Sequence, residues 1–104
     1  MPRSYSDKLL RKLNDYDGEE TIGIKLAKVC VKAKLPALYV AVPLEVSRMT
    51  VHTWFRGGEV RPKKYALIEA FIKLVKIDLE EGRLPARNLK DAREYIESMI
   101  GKKI

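Results

Sequence analysis

The sequence predicts an all-α fold, a compact bundle of about five to six helices forming one domain over residues 1–104. Two observations carry this expectation. Apolar residues recur at the i, i+3, i+4 spacing of an α-helix, and the alternation of a strand is weak throughout. Glycines and helix-capping side chains then divide the chain into segments of helical length. A chain of 104 residues can bury a core without disulfide or metal staples.

A first helix is expected from about Ser6 to Tyr16, with Leu9, Leu10 and Leu13 sharing a face and Asp15 to Gly18 as its stop. A second runs from about Glu20 to Lys34. Ile22, Leu26, Val29, Cys30 and Ala33 line its core side, while Lys25, Lys28 and Lys32 fall on a neighbouring side read as a solvated face. Pro36 suits the first turn of a third, short helix ending near Pro43. A fourth runs from Ser47, a good N-cap, to Arg56, and Gly57 and Gly58 end it because glycine accepts the left-handed geometry of helix exits. The basic loop Glu59-Val60-Arg61-Pro62 leads to a fifth helix from about Lys63 to Glu81. Its inner stripe is Leu67, Ile68, Phe71, Leu74 and Val75. Its outer face carries Glu69, Lys73, Lys76 and Glu80, with Glu69 and Lys73 in the favourable i,i+4 order. Gly82 closes it. Asn88 caps a last helix from about Leu89 to Ile100, Gly101 lies just beyond, and the Lys102-Lys103 tail is expected to fray.

Lysine and arginine number 21 against 14 acidic residues, an excess that favours an acidic partner such as nucleic acid or an anionic membrane. The one cysteine, Cys30, and the one histidine, His52, leave no internal disulfide and no zinc cluster, so neither metal nor cofactor is expected. Cys30, on an apolar stripe, reads as an inert buried thiol. The polar, charged start argues against a signal peptide, and no apolar run approaches a membrane span, so a reducing cytoplasm is the expected compartment. No nucleophile–base pair, paired carboxylates or glycine-rich phosphate loop stands at usable spacing. This excludes an enzyme, and no small-molecule substrate is evident.

The informative stretch is Leu35 to Pro62. In the fourth helix, Val51, Trp54 and Phe55 sit at i, i+3 and i+4, and Met49, His52, Thr53 and Arg56 sit at i, i+3, i+4 and i+7. With about 3.6 residues per turn these two faces are nearly opposite. One is an apolar anchor, and the other is polar and cationic, with Arg48 projecting from the first turn. Such a helix can be held by its back while its front enters a DNA major groove. Trp54 reads as a core residue. His52 reads either as a solvated surface residue or as a base contact.

The stretch resembles the helix-turn-helix of the Cro/C1-type repressor family through Val40, Ala41, Leu44, Val46, Ser47, Arg48, Thr50, Val51 and Trp54, followed by Gly57 or Gly58 and Pro62. The likeness is sharp over Val40 to Gly58 and follows helix order from Ile22 to Val75. It implies that Ala41 is the small residue that lets the two motif helices cross closely, and that Val46 and Val51 lock them together. It places base contacts at Ser47, Arg48, Met49, His52, Thr53 and Arg56, with Thr50 in the same DNA-facing run. Arg48 or Arg56 suits guanine edges or phosphates, and Thr53 and Met49 suit thymine methyls. Arg61, Lys63 and Lys64, at the start of the next helix, suit phosphates.

Three departures from that pattern stand out. Glu45 occupies the turn position where glycine is usual, and Pro43 removes an amide near the end of the first motif helix, which would end it early. Ala37, Leu38, Tyr39 and Val42 are apolar where relatives face phosphates, so another helix of the chain or a partner subunit is expected to cover them. The expected function is sequence-specific binding of double-stranded DNA by a bacterial or phage transcriptional regulator, acting as a homodimer or higher homo-oligomer. The last helix, through Leu89, Ala92, Ile96, Met99 and Ile100, could either join two subunits or pack on its own. The alternative is a structural or assembly protein, such as a phage DNA-packaging adaptor, with weak non-specific DNA binding.

Overall fold

The computed structural model describes residues 21–104, and the helix expected over Ser6 to Tyr16 lies outside them. Five helices follow in order: α1 (Ile22–Ala33), α2 (Ala37–Leu44), α3 (Arg48–Phe55), α4 (Pro62–Glu80) and α5 (Leu89–Ile100). Among the described residues there is no strand, and no helix is long and apolar enough to cross a membrane. The architecture is thus all-α, as the periodicity predicts.

Local chemistry sets the boundaries. The Thr21 hydroxyl accepts from the Ile24 amide at 3.2 Å and starts α1. Lys34, in the left-handed region at φ 57°, ends it and donates to the Cys30 and Val31 carbonyls. Pro36 is the N-cap of α2 rather than a residue of its first turn, because its extended ψ of 148° precedes the helix while its carbonyl already accepts from Tyr39 and Val40. Pro43 does not end α2 early. The helix continues to Leu44, and the missing amide falls in the last turn, where it forfeits one hydrogen bond. Asn88 caps α5 by accepting from Asp91 at 2.9 Å.

The core gathers around α1, whose Leu26, Ala27, Cys30 and Ala33 are fully buried. α1 packs on α4 and α3, while α2 packs on α3, α5 and α4. The segment after α4 is stitched to α1 by the Ala86 amide donating to the Ala33 carbonyl at 2.9 Å. On α4 the buried residues are Ile68, Phe71, Val75 and Asp78, a 3-4-3 spacing. Leu67 and Leu74 therefore flank the buried arc instead of lying in it: Leu67 is half-buried, and Leu74 is exposed, contrary to the expected inner stripe. Glu69 and Lys73 are both exposed, and no ion pair joins them.

Asp78 is buried because donors reach it. The Tyr95 hydroxyl donates to one carboxyl oxygen at 2.5 Å and the Arg83 guanidinium to the other at 2.8 Å. The Arg83 and Leu84 amides meet the Asp78 carbonyl. This network joins the end of α4 to α5, and burial together with the Asp78 hydrogen bond pushes the Tyr95 phenol up.

α5 is the helix that covers α2. Its Ala92 and Ile96 are buried in the chain's own core, so the centre of the apolar face considered for dimerisation is already occupied. Coverage of α2 is incomplete: Tyr39 and Val42 are half-buried, and Leu38 remains 52% exposed. The C-terminal residue folds back on α5. Ile104 donates through its amide to Glu97 at 3.0 Å, and its carbonyl accepts from Arg93 at 2.8 Å.

Candidate nucleic-acid interface

The site is built on α3. The three residues Glu45, Val46 and Ser47 separate it from α2. Glu45 takes the left-handed conformation at φ 58°, ψ 43°, and its amide meets the Ala41 and Val42 carbonyls. The backbone here thus adopts the geometry that glycine supplies most easily, with glutamate in its place. Ser47 then caps α3, its hydroxyl accepting from the Thr50 amide at 3.1 Å and lying 3.0 Å from the Thr50 hydroxyl. Gly57, at φ 93°, follows its end.

Val51, Trp54 and Phe55 anchor α3, all nearly inaccessible to solvent. Burying three side chains of this size stabilises the domain by roughly 1.5–3 kcal/mol each. α1 approaches the end of α3 very closely. A Cβ on Gly23 would lie 2.5 Å from the Trp54 carbonyl oxygen, so only glycine fits there. The opposite side of α3 is open: Ser47, Arg48, Met49, Thr53 and Arg56 are exposed, and Thr50 and His52 are half-buried. Met49 protrudes furthest, at 73% exposure.

The predicted residues fall into two groups. Thr50, Thr53, Arg61, Lys63 and Lys64 converge with Val46, Trp54 and Glu59 on a groove of about 410 Å³ between α3 and the start of α4. Arg48, Met49, His52 and Arg56 lie outside that groove, along the rest of α3. Lys64 differs from its neighbours. Its ammonium donates to the Leu44 carbonyl at 3.0 Å, so this cation, expected to meet phosphate, ties α4 to the end of α2. The reason is a helix C-terminal carbonyl that lacks an intrahelical partner. Thr53 donates its hydroxyl to the Met49 carbonyl at 3.1 Å, and its methyl fills the space beside Gly58, where a Cβ would come within 2.6 Å of it. Its methyl is therefore turned to the loop beside Gly58.

His52 stacks edge-on against Phe55, with ring centroids 6.4 Å apart and an interplanar angle of 77°. Partial burial, then the guanidiniums of Arg48 and Arg56, lower its pKa below the ordinary 6.5. Cys30 is fully buried and its thiol is pushed up by desolvation, which keeps it from acting as a nucleophile.

Sequence reading missed two features. Gly23 gave no signal, because its role lies in a contact with a helix about thirty residues away. A second groove, of about 770 Å³, opens on the other side of Gly57 and Gly58. It brings Lys25 of α1 beside Lys73 and Lys76 of α4, with Tyr65 and Ile72 among its walls. In the sequence these lysines belong to the faces of two separate helices. Only the packing of α1 on α4 joins them.

Fold and site together define a small all-helical protein that displays a short, firmly anchored helix with arginines on its open side. Compared with protein-family models, with curated proteins and with solved structures, the chain has no match.

Proposed function

We propose that the protein binds double-stranded DNA in the cytoplasm of a bacterial host, with α2 and α3 as a helix-turn-helix and α3 in the major groove, and that it acts as a sequence-specific regulator of bacterial or phage origin. The observation that carries this is the two-sidedness of α3: Val51, Trp54 and Phe55 are sunk in the core, while Arg48, Met49 and Arg56 stand free. The left-handed turn at Glu45 supports the same reading, since it falls where Cro/C1-type repressors, which this stretch resembles, tend to place glycine. Arg61 and Lys63 supply phosphate contacts beside the reading helix, and base contacts rest on Arg48, Met49, His52 and Arg56. One short helix reads few base pairs, so two copies of the chain on a near-palindrome complete the site.

Titration of duplex DNA with Arg48→Ala, Arg56→Ala and Thr53→Ala tests this. Each arginine change should cost about 1–3 kcal/mol of binding if it removes a base contact. Thr53→Ala should cost less, because its hydroxyl and methyl are turned inward. Folding should be retained in the arginine variants, whose side chains are exposed. Binding unchanged by both arginine substitutions would remove α3 from the interface.

A second reading, an assembly protein with weak non-specific DNA binding, is favoured by one observation: Leu38 stands exposed on α2. It calls for a large oligomer and little preference among duplexes. A regulator should hold its own site several kcal/mol more tightly than random DNA, by about 4–10 kcal/mol.

A further inference from the structure

We infer that His52 makes DNA binding proton-linked: on engaging a duplex the chain takes up a proton at this ring, and it holds DNA more tightly as the pH falls. The inference rests on the proposal that α3 faces DNA. It goes further by assigning the site a response to pH.

The geometry is specific. His52 lies one turn after Arg48 on α3 and one turn before Arg56, the C-cap of that helix, with its ring half-buried and edge-on to Phe55. No hydrogen bond or ion pair engages the ring among the described residues. The helices packed on α3 bring other titratable groups: Lys25, Lys28 and Lys32 on α1, Tyr39 on α2 and Glu45 in the turn. Among the described residues, the charges that act on the ring are those of Arg48 and Arg56. A proton on His52 therefore adds a third positive charge to a partly desolvated stretch, which disfavours protonation in the free protein.

DNA reverses each of these costs. A duplex carries one negative charge per about 1.7 Å of its axis. Phosphates flanking the groove offset both guanidiniums and attract the imidazolium directly. Protonation is then easier in the complex than in the free chain, and binding takes up a proton. Linkage is reciprocal, so whatever DNA does for the proton, the proton does for DNA. One proton limits the gain to about tenfold in affinity per pH unit. A neutral His52 accepting from a base edge would give the opposite sign, with binding weakened by acid.

His52 is the chain's one histidine, which makes the test direct. Its ring resonances are followed by NMR against pH, first in the free protein and then with a random-sequence duplex. Affinity for the same duplex is measured by fluorescence anisotropy between about pH 7.5 and 5.5. The expected result is a midpoint that rises on DNA binding, with a gain in affinity of several-fold as the pH falls. His52→Gln should flatten that dependence whatever its own affinity. A midpoint unchanged or lowered by bound DNA overturns the inference and leaves DNA binding intact, as does a pH dependence that survives in His52→Gln. Absence of duplex binding at every pH overturns both. If the variant fails to fold, the two titrations of the native ring still decide.

Discussion

Gly23→Ala places one methyl group where α1 meets the end of α3. The added carbon would lie 2.5 Å from the Trp54 carbonyl oxygen, 3.0 Å from its carbonyl carbon and 3.1 Å from its Cβ. An ordinary contact is about 3.5–4.0 Å, so the two helices must part by about 1 Å. No rotation of a side chain relieves this, since all three atoms belong to the backbone or are fixed to it. Overpacking of this kind costs about 1–3 kcal/mol. Alanine recovers about 1 kcal/mol at most through helix propensity, and less in the first turn of a helix, where Gly23 sits. The expected net loss is about 1–2 kcal/mol, which lowers the unfolding midpoint of a domain this size by about 4–15 °C. Thermal unfolding by circular dichroism measures it, and urea unfolding followed by the fluorescence of Trp54, the chain's one tryptophan, reports the same contact. The substitution also shifts α3, so duplex binding should weaken below the transition. Gly82→Ala serves as the comparison: it meets open space and is strained only by its positive φ of 82°. A Gly23→Ala midpoint equal to or above that of the native chain would refute the close approach.

Glu45→Gly should stabilise the domain by about 0.5–1 kcal/mol, the relief of a left-handed non-glycine residue less glycine's greater freedom when unfolded, and a rise in urea midpoint checks it. Tyr95→Phe removes a donor to the buried Asp78 carboxyl and should cost about 1–3 kcal/mol, read from the same urea curves. For His52, whose folded pKa lies below 6.5, the unfolded chain protonates first as the pH falls. Stability should therefore be full above about pH 6.5 and decline below it, and the decline should be smaller in His52→Gln. Unfolding midpoints at about pH 7.5 and 5.5 decide that point.

Much of this was legible because it is local. Ser47, Asn88, Gly57 and Gly101 mark helix ends through hydrogen bonds or dihedral angles within a few residues of themselves, and the 3-4 spacing of Val51, Trp54 and Phe55 sets the inward face of α3. What escaped was set by distant partners. Lys64 donates to a carbonyl twenty residues away, and Asp78 can be buried only because Tyr95 and Arg83 reach it. Leu74 was assigned inward because apolar residues outnumber the positions that α4 can bury. Gly23 shows the limit most clearly: nothing near it in sequence announces that the end of α3 will pass within a methyl's reach.

The most direct test of the DNA-reading role is selection of bound duplexes from a random-sequence pool, sequenced for the native chain and for Arg56→Ala in parallel. The expected outcome is one short motif enriched by the native chain and relaxed or lost in Arg56→Ala. A selected pool that matches its input, or one motif enriched equally by both proteins, would contradict reading by α3.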